Sequence, residues 1–298
     1  MVAPAGTDGT RDVAGTRRHL TGLAYRLLGS LSEAEDAVQE TYARWYALSA
    51  EQRQAIETPA AWLSRVAGRI CLDQLGSARA RRERYVGEWI PEPLPDTTDP
   101  GEGTADPADR VTLDESVHMA FLVVLESMTP AERVAFVLHD VFRYSFAEIA
   151  AIVGRTEVAC RQLASSGRRR VRAAHPATTA PTAERAGLVG EFKQAWEAKD
   201  IRALVGLLDP DVAMIADGGG IVSAALRPVE GADLVAQYLA HFADRAADLT
   251  LSVRTVNGQP GVVVRHAGVT VGVASFAFTD GRISRIWAVR NPEKLRAW

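Results

Sequence analysis

The sequence predicts a multidomain chain: two all-α domains followed by an α+β domain. Three observations carry that prediction. Apolar residues recur at helical spacing from about His19 to Arg84 and again from Leu113 to Ala173. Two proline-containing stretches, 86–112 and 175–183, interrupt the pattern. Beyond residue 184 the texture changes to alternating, β-branched segments separated by turn dipeptides. The implied domains are 17–85, 113–174 and 184–298, joined by an acidic, proline-rich linker (86–112) and a short one (175–183). A chain of 298 residues, 47% hydrophobic and 24% charged, accommodates two or three such domains and excludes wholesale disorder or fibrous repeats. No apolar run approaches the ~20 residues of a membrane span, and the N-terminus lacks the apolar segment of a secretory signal.

In the first domain, Ser32 is placed to cap a helix whose first turn carries Glu33 and Glu35. Leu31, Ala34, Val38, Thr41, Tyr42 and Trp45 then form one stripe, with Glu33, Asp36, Glu40 and Arg44 opposite. Such a face is either simply solvated or a docking surface for a basic partner. A second helix, from Pro59 to about Arg84, sets six arginines (Arg65, Arg69, Arg79, Arg81, Arg82, Arg84) against Asp73 and Glu83. Pro59 suits its first turn, where a missing N–H costs nothing. Its end, ARARRER, is either a solvated terminus or a partner for a phosphate backbone.

The linker 86–112 has the composition of a segment without a core of its own. Residues 86–109 hold seven acids and no base, which masks the character of what surrounds them. Residues 1–183 carry 21 basic and 24 acidic side chains; without the acidic run the balance becomes +4. All those basic groups are arginine, the better reader of phosphates and base edges, so the overall charge of -3 does not exclude nucleic acid.

Residues 145–172 give the sharpest local signal. Ala150 is small where two helices would cross, and Gly154 sits at the turn. Ile149, Val153, Cys160 and Leu163 supply buried positions, and Thr156 can cap the second helix. Projected on a wheel, Cys160, Leu163, Ala164, Gly167 and Val171 share a small, apolar face. Glu157, Arg161, Ser165, Arg168 and Arg172 share the other, flanked by Gln162 and Arg169. These side chains can bond base edges in a major groove, and Arg168-Arg169-Arg170 suit phosphates. An ordinary helical hairpin with a basic surface is the competing reading.

The last domain opens with a helix over Glu184–Lys199 and holds another at Gly231–Phe242. Strands are predicted at 249–256, 261–268, 269–278 and 282–289, with Asn257-Gly258 and Asp280-Gly281 as hairpin turns. The run Asp217-Gly218-Gly219-Gly220 lacks the Lys-Ser/Thr of a phosphate loop. Its glycines permit a close backbone approach, and the stiff segment WIPEP (89–93), with Trp89 as anchor, is a suitable visitor. Asp211, Asp217, His241 and His266 are the acid–base candidates should this domain catalyse a reaction, although isolated residues of these types are more often structural. Cys71 and Cys160, far apart, offer neither a disulfide framework nor a zinc cluster, which fits a reducing cytoplasm. No cofactor is implied.

This arrangement resembles a bacterial RNA polymerase sigma factor of the extracytoplasmic-function group. LLGSLSEAEDAVQETYARWY (27–46) is similar to region 2 where it meets the polymerase, and WLSRVAGRICLDQLGSARARR (62–82) to the part that melts and reads the minus-10 element. Residues 128–172 are similar to region 4, which reads the minus-35 element. By position, the resemblance implies that Asp36, Gln39 and Glu40 contact core RNA polymerase. It implies minus-10 roles for Arg65, Arg69, Asp73, Arg79, Arg81 and Arg82, although Gly68-Arg69-Ile70 stands where many members have an Arg-Asn pair. It implies a minus-35 helix bearing Thr156, Glu157, Arg161, Gln162, Ser165, Arg168 and Arg169. The remainder resembles a SnoaL-like α+β cone, the extension of a sigma-J-type subgroup. There WIPEP (Trp89, Pro91, Glu92, Pro93), DGGG (Asp217, Gly218, Gly219, Gly220) and NPEKL (Asn291, Pro292, Glu293, Lys294, Leu295) match subgroup motifs, with Ile221 where a Lys often follows. The implication is a domain that regulates the sigma domains in cis, in place of a separate anti-sigma factor, with core RNA polymerase and promoter DNA as partners and no membrane. A cone of this type also suits a small-molecule sensor or, less well, a cyclase or isomerase. The rival from another class is a one-component helix-turn-helix regulator with a ligand-sensing domain, which leaves the first helical domain unexplained.

Overall fold

The computed structural model describes residues 8–82, 85–95, 117–174, 181–245 and 248–298, with the backbone alone for 8–14, 78–82 and 245. Most of the acidic run, from Asp96 to Asp109, lies outside the described residues. So does most of the second linker. The chain divides into two compact units: 1–80, 103–112 and 124–172 in one, and 81–102, 113–123 and 173–298 in the other.

The first unit is helical. Helices α1 (Asp8–Leu28), α2 (Leu31–Ala47), α3 (Ala50–Gln54) and α4 (Pro59–Arg82) come first. The cap of α2 is Ser30 rather than Ser32, its hydroxyl accepting from Glu33 N at 3.4 Å. Gly29, at φ 73°, ends α1 so abruptly that the next helix starts at Leu31 and the cap falls two residues earlier. Leu20, Val38, Leu63 and Ala67 form a core here, with Tyr42, Trp45 and Trp62 packed on it. Helix α5 (Met119–Glu126) crosses the division between units. After it, α6 (Pro130–Phe136) passes into a wider turn over Val137–Val141, closed by an i→i+5 bond from Phe142 N to Val137 O at 3.2 Å. Then come α7 (Phe146–Val153) and α8 (Glu157–Ala174). Capping boxes start α3 (Ser49/Gln52), α6 (Thr129/Glu132) and α7 (Ser145/Glu148), each satisfying two otherwise orphaned donors.

The second unit is α+β. Helices α9 (Thr182–Glu197), α10 (Ile201–Leu207) and α11 (Ala232–Arg245) accompany a six-stranded sheet. Its strands are β1 (Leu208–Asp217), β2 (Val229–Glu230), β3 (Leu249–Val256), β4 (Gln259–His266), β5 (Val269–Thr279) and β6 (Arg282–Val289), in the order β2-β1-β6-β5-β4-β3. Among the described strands only the β1–β6 pairing is parallel, so the sheet is mixed. Asn257-Gly258 and Asp280-Gly281 both show the paired positive φ values of hairpin turns. Ala267-Gly268 makes a third such turn, between β4 and β5. One sheet face packs on the helices through Phe192, Trp196, Leu204, Met214, Val235, Phe276 and Ile286. The other carries Val256, Val263, Val273, Trp287 and Val289, and is covered by Ile90, Met119 and Leu295. The linker therefore does have a core to join: Ile90 is 1% exposed, and Pro91, Glu92, Pro93 and Leu94 are buried as well. Among the described residues no helix is long and apolar enough to cross a membrane.

Candidate nucleic-acid interface and linker clasp

Gly154, at φ 69°, ends α7, and Thr156 Oγ1 accepts Ala159 N at 3.2 Å to start α8. Ile149, Ile152, Cys160, Ala164 and Gly167 are buried where the helices cross; Val153 and Leu163 are only half-buried. On the outer side Thr156, Glu157, Arg161, Gln162 and Arg169 are exposed, and Ser165 and Arg168 half-exposed. The arginines are pre-arranged by neighbours. Arg161 Nη2 donates to Glu157 at 3.2 Å, its guanidinium lying 5.3 Å from the centre of the Phe146 ring. Arg168 Nε donates to Asp140 at 2.6 Å, and Arg169 Nη1 to Ser165 at 3.5 Å. Arg168, Arg169 and Arg170 do not form one patch, because Arg170 leans toward Glu132, 3.8 Å away. Sequence reasoning missed Val158, a β-branched side chain 60% exposed beside Glu157 and a fit for a thymine methyl. The wheel placed it on the polar side but gave no reason to single it out.

Asp36, Gln39 and Glu40 are all exposed on α2, with Arg44 Nε bonded to Glu40 at 3.0 Å. Arg65, Arg69 and Asp73 are exposed on α4, opposite buried Ala67, Gly68, Ile70 and Cys71. Arg79, Arg81 and Arg82 lie on the last turns of α4, and their side chains are outside the described residues. Both cysteines are buried, and burial pushes the Cys71 thiol up to about 12 and raises Cys160, so neither is a reactive thiolate.

In the second unit the residues of WIPEP, DGGG and NPEKL meet around one carboxylate. Asp217, at the end of β1, is 0% exposed, and among the described residues its carboxylate accepts from four donors. These are Tyr85 Oη at 2.6 Å, Ile90 N at 3.0 Å, Gly219 N at 3.0 Å and Lys294 Nζ at 2.7 Å. Lys294 Nζ also donates to Ile90 O and lies 4.0 Å from the centre of the Trp89 ring. Asn291 Nδ2 donates to Tyr85 Oη at 2.9 Å, while Asn291 Oδ1 caps the short turn Pro292–Lys294 by accepting Glu293 N. Leu295 is buried beneath, and Pro292 and Glu293 are exposed. Gly219 and Gly220 adopt positive φ, and a Cβ on them would meet Asn291 and Val86 respectively; a Cβ on Gly218 would strike Val222 O. The strip continues with Leu94 N donating to Asn257 Oδ1 (3.0 Å), Asn257 N to Leu94 O (2.8 Å) and Trp298 Nε1 to Pro93 O (2.9 Å). Pro95 bridges to Val256 on the edge strand β3. Tyr85 lies outside the three motifs, and Ile90, although inside WIPEP, was not selected from the sequence. Ile221 is exposed, and Lys294 supplies the cation that Asp217 requires.

The acid–base candidates are not assembled. Asp217 is committed to the clasp, while Asp211, His241 and His266 are exposed on β1, α11 and β4. Phe192, Trp196, Met214, Phe276 and Phe278 fill the space between helices and sheet.

A first domain with an acidic-faced helix and a basic helix, followed by a capped helix-turn-helix, defines the sigma-70 class of promoter-recognition subunits. Residues 13–81 match Sigma-70 region 2, and residues 118–171 match Sigma-70 region 4. The chain is 37% identical over 295 residues to the ECF RNA polymerase sigma factor SigJ of Mycobacterium tuberculosis, covering 94% of this chain and 90% of that one. It is 35% identical over 283 residues to the probable ECF RNA polymerase sigma factor SigI of the same species (94% and 92% covered). The crystal structure of the M. tuberculosis extracytoplasmic function sigma factor SigJ superposes with a TM-score of 0.77, at 33% identity, over 97% of this chain and 98% of that one. The chain belongs to the extracytoplasmic-function RNA polymerase sigma factors, and its function is to direct core RNA polymerase to promoters.

Proposed function

We propose that this sigma factor is regulated in cis by its α+β domain, with residues 85–95 as the coupling element. The observation that carries the reading is the buried Asp217, which ties Tyr85 and Ile90 of the linker to Lys294 of the domain. Because that contact is built into the chain, no separate anti-sigma factor is needed, and the domain acts as a brace rather than an enzyme. In this reading Asp36, Gln39 and Glu40 meet core polymerase in the cytoplasm. Arg65, Arg69, Asp73, Arg79, Arg81 and Arg82 handle the minus-10 strand, and the outer face of α8 reads the minus-35 element.

Run-off transcription with core polymerase, combined with limited proteolysis, tests the coupling. Trp89→Ala and Lys294→Ala should both accelerate cleavage between residues 94 and 112. They should change transcription in the same direction as removal of residues 291–298. If both variants transcribe and resist protease as the wild type does, while the truncation alters transcription, the domain does not act through this strip.

A further inference from the structure

Helix α8 is gripped from outside by two carboxylates, neither on its outer face. On one flank Glu132 accepts from Ser166 Oγ at 2.7 Å. On the other, Asp140 accepts from Arg168 Nε at 2.6 Å. Between them Gly167 lies so close to α6 that a Cβ would come within 2.8 Å of Phe136 Cβ. Ser166, Gly167 and Arg168 are consecutive, so the three contacts spread over about 200° of the helix circumference and fix its rotation. Asp140 owes its position to the i→i+5 turn at 137–141, which breaks the register of α6 and carries the residue out of line with that helix. Its second oxygen, Oδ2, is buried with no hydrogen-bond partner among the described residues. A carboxylate kept at that cost has a job.

We propose that Asp140 is a positioning residue for promoter recognition: it holds Arg168 by Nε, leaving both terminal nitrogens of the guanidinium to meet an acceptor on the DNA. A guanidinium already fixed at Nε gives up little torsional freedom when it binds, and its fork keeps one orientation. The proposal rests on the reading of α8 as the minus-35 helix.

The test uses holoenzyme reconstituted from the full chain and core polymerase. The probe is a duplex selected by the wild-type holoenzyme from a pool randomised across the minus-35 region. Asp140→Ala should weaken binding about three- to tenfold, the cost of ordering one long side chain. It should flatten preference at the same base pair as Arg168→Ala. The double variant should bind no worse than Arg168→Ala alone, and Asp140→Asn, which keeps the acceptor, should retain most of the affinity. Asp140→Ala binding as the wild type does while Arg168→Ala loses affinity would overturn the proposal. So would tighter binding by Asp140→Ala, which would mean that the carboxylate withholds the arginine. If Arg161→Ala loses affinity and Arg168→Ala does not, α8 still reads DNA and Arg168 has been given the wrong role. If neither loses affinity, the reading of α8 fails and takes the proposal with it.

Discussion

At the scale of single residues, Asp217 and Lys294 bear the greatest consequence. An ion pair so buried is a poor source of net stability, yet losing one member leaves the other uncompensated. Lys294→Ala is therefore expected to destabilise the second unit by about 3–5 kcal/mol. Adding Asp217→Asn should recover part of that loss, and thermal denaturation of the single and double variants measures both. Tyr85 gives a pH handle on the same cluster. Burial, then the hydrogen bond to Asp217 and its charge, hold the phenol above its ordinary value of 10.0. Because the folded value is the higher one, this contribution is complete below about pH 10 and is lost as pH rises through the folded value. The wild type should thus lose thermal stability above pH 10 more steeply than Tyr85→Phe, and equal slopes would show that the phenol is not held in this way.

At the scale of elements, α8 was the most legible part of the sequence, because one helical period sorts its two faces and Gly154 and Thr156 mark its start. What holds α8 was not legible. Asp140 and Arg168 stand 28 residues apart, Glu132 and Ser166 stand 34 apart, and no local pattern links them. The capping boxes Thr129/Glu132 and Ser145/Glu148 were open to reading and passed over. Strand β1 was missed because Asp209, Pro210 and Asp211 break its alternation. The linker showed its aromatic, Trp89, but its deepest anchor is the neighbouring Ile90, since the proline-rich strip turns Trp89 toward Lys294 instead. Gly167→Ala tests the seat of α8. The added methyl has nowhere to go, so a loss of about 1–3 kcal/mol is expected on thermal unfolding, with weaker promoter binding even where folding is kept. Glu132 adds an acid-side signature. Burial raises its carboxyl, but hydrogen bonds from Thr129 and Ser166 and the charge of Arg170 outweigh this and hold it below the ordinary 4.5. Its contribution is present above that value and lost as pH falls through the lower folded one, so Glu132→Gln should unfold with a shallower dependence on acid.

At the scale of the whole molecule, residues 13–80 of region 2 and 124–171 of region 4 belong to one compact unit. Arg133, buried in α6, donates to Leu27 O at the end of α1 (2.9 Å) and pairs with Glu126 at 2.6 Å. Gly68 on α4 leaves room for Ile152 on α7: a Cβ there would lie 3.3 Å from Ile152 Cγ2. Arg133→Ala would remove the donor to the Leu27 carbonyl and the cation beside Glu126, and should cost about 3 kcal/mol. Hydrogen exchange at the end of α1 and in α6 should rise together; a rise confined to α6 would mean that Arg133 braces its own helix alone.

The bridge between Pro95 and Val256 has a mechanical corollary. Residues 85–95 belong to the connection between α4 and α5, and the greatest span of any connection is set by how many of its residues are free to extend. With 85–95 laid along the sheet, that length is spooled. At about 3.3–3.6 Å per extended residue, the strip holds back roughly 36–40 Å of slack. Letting go at Asp217 would return up to that length of chain to the connection in a single step.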